Sequence, residues 1–190
     1  MSGYPRDGYS PTRLHLFALI VHVKMVFNYY HRLTRVQKGI YRKSDAIDRI
    51  VLNRPEPVRE AIVYLEGVLA IEDRKKTESA SRSVVDGITA DLNVAAVKTK
   101  VLSARPSNNW GELHGLYEPV DGGKAAQITV WMRTAKHKRV VAFRSFLRTI
   151  FHELCHHLDY EYLALADSFH TEGFFKRESS LFKQLVHDGN

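Results

Sequence analysis

Apolar residues in the last third of the chain repeat with the period of an α-helix. With a step of about 100° per residue, one continuous stripe contains Phe143, Leu147, Ile150, Leu154 and Leu158. The opposite face contains Arg148, His152, His156 and Asp159. The pattern therefore predicts a helix that buries one side in a core and presents two histidines on the other.

Helical spacing also dominates the first half of the chain. We expect helices over residues 11–31, 34–52 and 55–76, because apolar residues recur there every three or four positions. Pro55-Glu56-Pro57 separates the second helix from the third. Residues 1–9 contain Gly, Pro, Ser and Asp with little apolar content, which is typical of a flexible tail.

The pattern changes after Asp86-Gly87, where short segments typical of strands replace helical spacing. Residues 94–102 predict a half-buried strand. Residues 112–117 and 127–133 flank the turn signal Val120-Asp121-Gly122-Gly123 and predict a hairpin. In the second arm Ile128, Val130 and Met132 alternate with Thr129, Trp131 and Arg133, so one apolar face is expected. Helices, a small sheet and two further helices make an α+β fold.

The composition indicates the cellular compartment of the protein and its possible partners. The single cysteine, Cys155, excludes an internal disulfide and a Cys-rich zinc ribbon, and fits a reducing cytoplasm. The apolar run 16–23 is interrupted by His22 and is too short for a membrane span, so we expect neither a secretory signal nor membrane insertion. A net charge of +7 permits nucleic-acid contact, although a solvated basic surface is the simpler interpretation.

The predicted helix contains the sequence His152-Glu153-Leu154-Cys155-His156, which fits the HExxH pattern of zinc hydrolases. Histidines four residues apart lie on one helical face and can bind one ion. Glu153 points about 100° away and can reach a water molecule rather than the metal. We therefore predict Zn²⁺ as the cofactor, His152 and His156 as ligands, and Glu153 as the catalytic general base.

A hydrolytic zinc site takes a third protein ligand and keeps one position for water. His170 is the first candidate, because residues 164–169 can reverse the chain and return it to the metal. Glu172 and Asp159 are rival ligands, and His114 competes from the hairpin. Asp159 is also suited to orient one of the motif histidines through a hydrogen bond.

Two further groups of side chains have predicted roles near the motif. Arg148, one turn before His152, either meets a substrate carboxylate or pairs with an acidic residue, and pairing is the simpler expectation. A hydroxyl that stabilises an oxyanion could come from Tyr117, Tyr160 or Tyr162, and the sequence does not choose among them.

These residues together resemble the SprT-like zinc metallopeptidases, which carry HExxH and a later histidine in a His-Gly-x-x-Phe-like segment. The resemblance covers roughly residues 111–185 and includes the strand 128–132, the motif, and His170 followed by Gly173 and Phe174. Gly173 comes three residues after His170 rather than next to it, and the cysteines of a C-terminal zinc ribbon are missing. The resemblance implies a zincin-like core.

The predicted organisation is a flexible tail over residues 1–10, a helical region over 11–85 and the zincin-like core over 86–190. The predicted function is that of a cytoplasmic zinc metallopeptidase whose peptide or protein substrate aligns along the strand 127–133. One alternative is a DNA-associated SprT-like protease that uses the basic segments 74–76 and 136–139. Another is a non-catalytic protein with a structural zinc. The substrate and the oligomeric state stay open.

Overall fold

The computed structural model of the protein describes residues 27–108 and 111–186. These residues form an α+β fold with five α-helices, a three-stranded mixed sheet and a two-stranded ribbon, which confirms the predicted class. The predicted tail and most of the predicted helix 11–31 lie outside the described residues. The described end of that helix is a 3₁₀ helix, Asn28–Arg32.

Helix α1 (Arg35–Asp45) begins at a capping box, in which the side chains of Thr34 and Gln37 each accept a hydrogen bond from the other residue's backbone N–H. It does not continue to residue 52 as predicted. At its C-terminal end, the carbonyl of Ser44 accepts a hydrogen bond from the guanidinium of Arg177 in the C-terminal part of the chain. The helix therefore ends where it docks on the C-terminal part of the chain.

Helices α2 (Glu56–Ala70) and α3 (Arg74–Asp91) pack against each other. The prediction of one helix through residue 76 is wrong, because Glu72 adopts a φ of 61° and breaks it. Asp73 then starts α3 by accepting a hydrogen bond from the backbone N–H of Lys76. Helix α3 also spans residues 85 and 86, where the sequence predicts the boundary between the helical region and the zincin-like core.

The sheet has the strand order β1 (Lys98–Ala104), β5 (Gln127–Arg133), β4 (Gly115–Glu118). Strand β4 pairs antiparallel with β5, as the predicted hairpin requires, whereas β1 pairs parallel with it. Strands β2 (Ser107–Asn108) and β3 (Gly111–Glu112) form the separate ribbon. The predicted apolar face of Ile128, Val130 and Met132 is buried, and because β5 is central, Thr129 and Trp131 on the opposite face are buried as well.

The central position of β5 also corrects its predicted role, since a strand paired on both sides cannot align a substrate. The outer edge of β1 is covered by α3: Arg74 donates a hydrogen bond to the carbonyl of Val101, and Glu78 accepts one from the N–H of Val101, both at 2.9 Å. Within the described residues, β4 therefore provides the sheet edge that borders the motif helix.

Helix α4 (Phe143–Glu161) contains the motif and packs against β4, β5 and α5 (Glu172–Leu185). The predicted apolar stripe is confirmed, because its members Leu147, Ile150, Leu154 and Leu158 are fully buried and Phe143 packs on the same core. Cys155 is also fully buried, as expected for a small apolar side chain. Among the described residues, no helix combines the length and the apolarity needed to cross a membrane.

Candidate metal centre

Three histidine side chains meet between α4 and α5. His170 Nε2 lies 3.0 Å from His152 Nε2 and 3.0 Å from His156 Nε2. Within the described residues, these three form the one group of His, Cys, Asp or Glu side chains whose ligand atoms could hold a metal ion. The structure thus brings together the two motif histidines and the first candidate for the third ligand.

The first of these imidazoles is oriented by an acidic residue of α5. His152 Nδ1 lies 3.1 Å from Glu178 Oε2, and a carboxylate oxygen only accepts, so we infer that Nδ1 carries the hydrogen. Nε2 then has a free lone pair directed at the other two histidines. Glu178 also accepts from Arg148 Nη1 at 3.4 Å, which confirms that this arginine pairs with an acidic residue.

The second imidazole is oriented by a hydroxyl. His156 Nδ1 lies 2.8 Å from Ser168 Oγ, and Ser168 donates its own hydrogen to Asp159 Oδ2 at 2.7 Å. The hydroxyl must therefore accept from Nδ1, which again leaves the lone pair on Nε2. Burial, together with the smaller effects of His170 and His152, lowers the pKa of His156 to about 3, so its imidazole is neutral.

Two lone pairs therefore point at one place, beside the Nε2 atom of a third imidazole. A hydrogen on His170 Nε2 can be donated to one of these lone pairs, whereas a cation bound between the three nitrogens would interact with both. Metal–nitrogen bonds of about 2.0–2.1 Å at tetrahedral angles separate ligand nitrogens by about 3.3 Å, close to the observed spacing. The three residues fit a divalent transition metal, although imidazole ligands suit copper, iron and nickel as well as zinc.

Glu153 lies next to this cluster and is held by strand β4. It is 7% exposed, and its carboxylate accepts a hydrogen bond from the backbone N–H of Tyr117. Burial raises its pKa to about 7, against the smaller lowering effects of His152 and of the Tyr117 N–H. A carboxyl group with a pKa near neutrality can both accept and return a proton at physiological pH.

A surface cleft follows β4 on both sides of Glu153. One part, of about 310 Å³, extends towards His114 and Arg148. The other, of about 390 Å³, extends towards Tyr160 and His170. Gly115, His152 and Glu153 line both parts. The candidate metal ligands and the candidate base are therefore accessible from the same cleft.

The rival ligands are located elsewhere. Glu172 lies at the start of α5 and pairs with Lys176 at 2.5 Å. Asp159 is fully buried in an ion pair with Arg177 and reaches His156 only through Ser168, so it orients this histidine as predicted. His114 is exposed and lines the cleft without joining the histidine cluster. None of these three side chains joins the other ligands.

The tyrosines differ in their access to the cleft. The hydroxyl of Tyr117 lies 3.2 Å from His157 Nδ1, while His157 Nε2 donates to the carbonyl of Ala95 at 2.8 Å. Tyr117 is therefore already hydrogen-bonded inside the fold. Tyr160 lines the cleft, and Tyr162 is exposed at the C-terminal end of α4. Of the three predicted oxyanion donors, Tyr160 is the one whose position fits the role.

The sequence did not identify two residues that orient the candidate ligands. Glu178 was one of several acidic residues downstream of the motif. Ser168 lies in the segment that was predicted only to reverse the chain, and no pattern in the sequence distinguishes it. Helical spacing relates residues within one helix, whereas both contacts join separate elements. The spacing of Glu178 and Leu181 on α5 could at most have placed Glu178 near the face that packs on α4.

Searches among protein-family models, curated proteins and solved structures found no match to this chain. The resemblance to SprT-like peptidases therefore stays a prediction. The chemistry of the site is the basis on which its function is proposed.

Proposed function

We propose that the protein is a zinc-dependent peptidase of the zincin type, with His152, His156 and His170 as metal ligands and Glu153 as the general base. One observation carries the proposal: the lone pairs of His152 and His156, each fixed by a hydrogen bond at Nδ1, converge with His170 Nε2 beside a buried carboxyl group. The single cysteine, Cys155, is compatible with a cytoplasmic location.

The chemistry divides between the metal and the protein. A zinc ion, when bound, supplies a Lewis acid and lowers the pKa of water. Glu153 accepts a proton from the water that attacks a peptide carbonyl and returns it to the leaving amine. The N–H of Tyr117 holds this carboxylate in place, and Tyr160 can donate a hydrogen bond to the developing oxyanion.

The edge of β4 supports a peptide or protein as the substrate. Strand β4 is paired only with β5 in the described part of the chain. The N–H of Tyr117 is already bonded to Glu153, and the remaining backbone groups of the other edge can pair with an extended peptide. Residues of the same strand, Gly115 and Tyr117, line the cleft beside Glu153. A peptide added along β4 would therefore lie close to the candidate base.

The alternative of a structural zinc site has less support. Structural sites are usually closed by four protein ligands, whereas catalytic sites keep one position open. Among the described residues three ligands converge, and the two predicted candidates for a fourth are bound elsewhere, Asp159 to Arg177 and Glu172 to Lys176. The open position and the adjoining cleft favour a catalytic role.

A DNA-associated version of the peptidase has one observation in its favour. Arg133 forms an ion pair with Glu72 and donates to the carbonyl of Lys138 at 3.2 Å. These contacts bring the segment 136–139 to the start of α3, where Lys75 and Lys76 are exposed. Retention on DNA that weakens steeply as salt is raised would support this version, and retention without a salt dependence would count against it.

The metal site is tested by counting metal ions in the purified protein by mass spectrometry. We expect about one zinc per chain in the wild type and none in the His152→Ala/His156→Ala variant. Glu153→Gln should keep the metal and lose peptide hydrolysis by a factor of about 10² or more, because it removes the proton acceptor. Wild-type protein without stoichiometric metal, or unchanged hydrolysis by Glu153→Gln, would refute the proposal.

A further inference from the structure

The N-terminal segment that precedes the α2–α3 pair contacts the part of the chain that carries His170. The hydroxyl of Tyr29 donates a hydrogen bond to the backbone carbonyl of His170 at 2.7 Å. At the C-terminal end of α1, Ser44 Oγ lies 3.4 Å from Oγ1 of Thr171, the first residue after this histidine. Both contacts join residues far apart in the sequence, so the segment holds the loop of the third ligand from outside the motif.

The same segment is in close contact with the start of α5. Asp45 Oδ1 accepts a hydrogen bond from the backbone N–H of Gly173 at 3.0 Å. A β-carbon on Gly173 would lie 2.7 Å from the carbonyl oxygen of Ser44 and 2.8 Å from that of Asp45. Only glycine permits this approach, and the C-terminal end of α1 therefore lies directly on the helix that follows His170.

A buried arginine connects the segment to the motif helix. Arg177 Nη1 donates to the carbonyls of Ser44 and Ile47, both at 2.6 Å. Its Nη2 donates to Asp159 Oδ1 at 2.7 Å, and both side chains of this ion pair are 0% exposed. The guanidinium thus donates hydrogen bonds both to the end of α1 and to a carboxylate of α4.

That carboxylate continues the connection to a metal ligand. The second oxygen of Asp159 accepts from Ser168, and Ser168 accepts from His156 Nδ1, so the chain of hydrogen bonds is unbroken from α1 to this imidazole. Partners of this kind, which orient a ligand without touching the metal, typically change metal affinity by about 10–100-fold when they are removed. The N-terminal segment therefore acts on His156 by one route and on His170 by another.

We propose that residues 27–47, called here the clamp, regulate the metal centre: docking of the clamp holds His156 and His170 in the metal-binding arrangement, and metal binding in turn strengthens docking. The inference rests on the proposed metal site. Coupling between two binding events is reciprocal, and its usual size is about 5–150-fold in affinity. Any partner or modification that displaces the clamp would weaken the affinity for the metal by the same factor.

The positioning role of Tyr29 is tested with a matched pair of variants. Tyr29→Phe removes the hydroxyl that holds His170, whereas Tyr30→Phe, in the same 3₁₀ helix, removes a hydroxyl that accepts only from Arg42. Zinc affinity is measured by competition with a chromophoric chelator. We expect about tenfold weaker binding for Tyr29→Phe, no change for Tyr30→Phe, and similar unfolding temperatures for both zinc-free variants.

Reciprocity is tested by limited proteolysis of the full chain. Trypsin sites within the clamp include the exposed Arg32, Arg35 and Arg42. Their cleavage reports the population of the undocked clamp when opening is fast relative to cleavage. We expect zinc to slow cleavage at these sites about 5–150-fold in the wild type, and to slow it less in Tyr29→Phe.

The outcomes separate this inference from the proposed function. If the wild type binds no zinc, both are wrong. If it binds zinc but Tyr29→Phe and Tyr30→Phe have equal affinity, and zinc leaves cleavage of the clamp unchanged, the clamp is wrong and the peptidase proposal stands. A loss of zinc affinity in Tyr29→Phe that is matched by an equal loss of zinc-free stability would also overturn the positioning role.

Discussion

Gly115 and Glu153 are in contact across the boundary between strand β4 and helix α4. A β-carbon on Gly115 would lie 2.7 Å from Glu153 Cγ and would collide with the carboxylate as well. It would also lie 2.7 Å from Thr149 Cγ2, so an added methyl group would collide with two residues of α4. The absence of a side chain at Gly115 therefore sets the position of the candidate base.

We expect Gly115→Ala to reduce peptide hydrolysis by about 10²-fold, because a displaced Glu153 no longer reaches the attacking water. Zinc content should be unchanged, since the three atoms nearest the new methyl group belong to Glu153 and Thr149 rather than to a metal ligand. Gly67→Ala is the matched control, because a β-carbon there meets nothing within 4 Å. This control should keep full activity and gain about 0.5–1 kcal/mol of stability from its helical position. Equal activities of the two variants would contradict the role of Gly115.

The motif and its helix were predictable because both depend on the order of residues within one element. Residues 152, 153 and 156 follow from helical spacing, and the buried stripe on the opposite face is confirmed by Leu147 and Leu154. His170 required only that the chain turn back after α4. The pattern of spacing therefore gave the α+β class and the location of the candidate ligands.

The remaining features depend on contacts between elements. Helix α3 was predicted only as part of the helical region 11–85 and not as a separate helix, because Ser79, Ser81 and Ser83 interrupt its apolar pattern. Its contact with β1 joins two elements and therefore lies outside the pattern of either one. Strand β5 was predicted to lie at a sheet edge because its parallel partner β1 cannot be inferred from alternation. The partners of His152 and His156 are likewise residues of other elements, and single-element patterns carry no information about them.

We expect Glu178→Gln to weaken zinc binding about tenfold, because it removes the charge that makes His152 a stronger donor to a cation. Glu172→Gln is the control, since this residue pairs with Lys176 at the surface and lies outside the histidine cluster. It should bind zinc as the wild type does. Competition with a chelator measures both variants, and a loss of affinity in Glu172→Gln would instead restore Glu172 as a ligand.

The contribution of His156 to the stability of the zinc-free protein should fall as the pH drops below about 6.5, the ordinary pKa of histidine in an unfolded chain. Burial lowers the pKa of His156 to about 3 in the folded state. Between these two values the unfolded chain binds more protons, so acid favours unfolding. Urea unfolding with a chelator present, at pH 7.5 and at pH 5.5, measures the effect. Glu153, whose pKa burial raises to about 7, acts in the opposite direction over this interval, so the effect of His156 is the difference between the wild type and His156→Asn. Lowering the pH should favour unfolding more in the wild type than in His156→Asn, and an identical change in both would contradict the assignment.

Arg177→Met should destabilise the fold by about 3–5 kcal/mol, because it leaves the carboxylate of Asp159 buried without its partner. Arg59→Met is the matched control. Arg59 also donates to a backbone carbonyl, that of Gln184 at 2.8 Å, but faces no buried carboxylate, so its loss should cost only about 1–2 kcal/mol. Adding Asp159→Asn to Arg177→Met should recover part of the lost stability, because the double variant contains no unpaired charge. Denaturant unfolding is measured for the wild type, Arg59→Met, the single variants Arg177→Met and Asp159→Asn, and the double variant. Strictly additive effects of the two substitutions would show that the pair is not coupled.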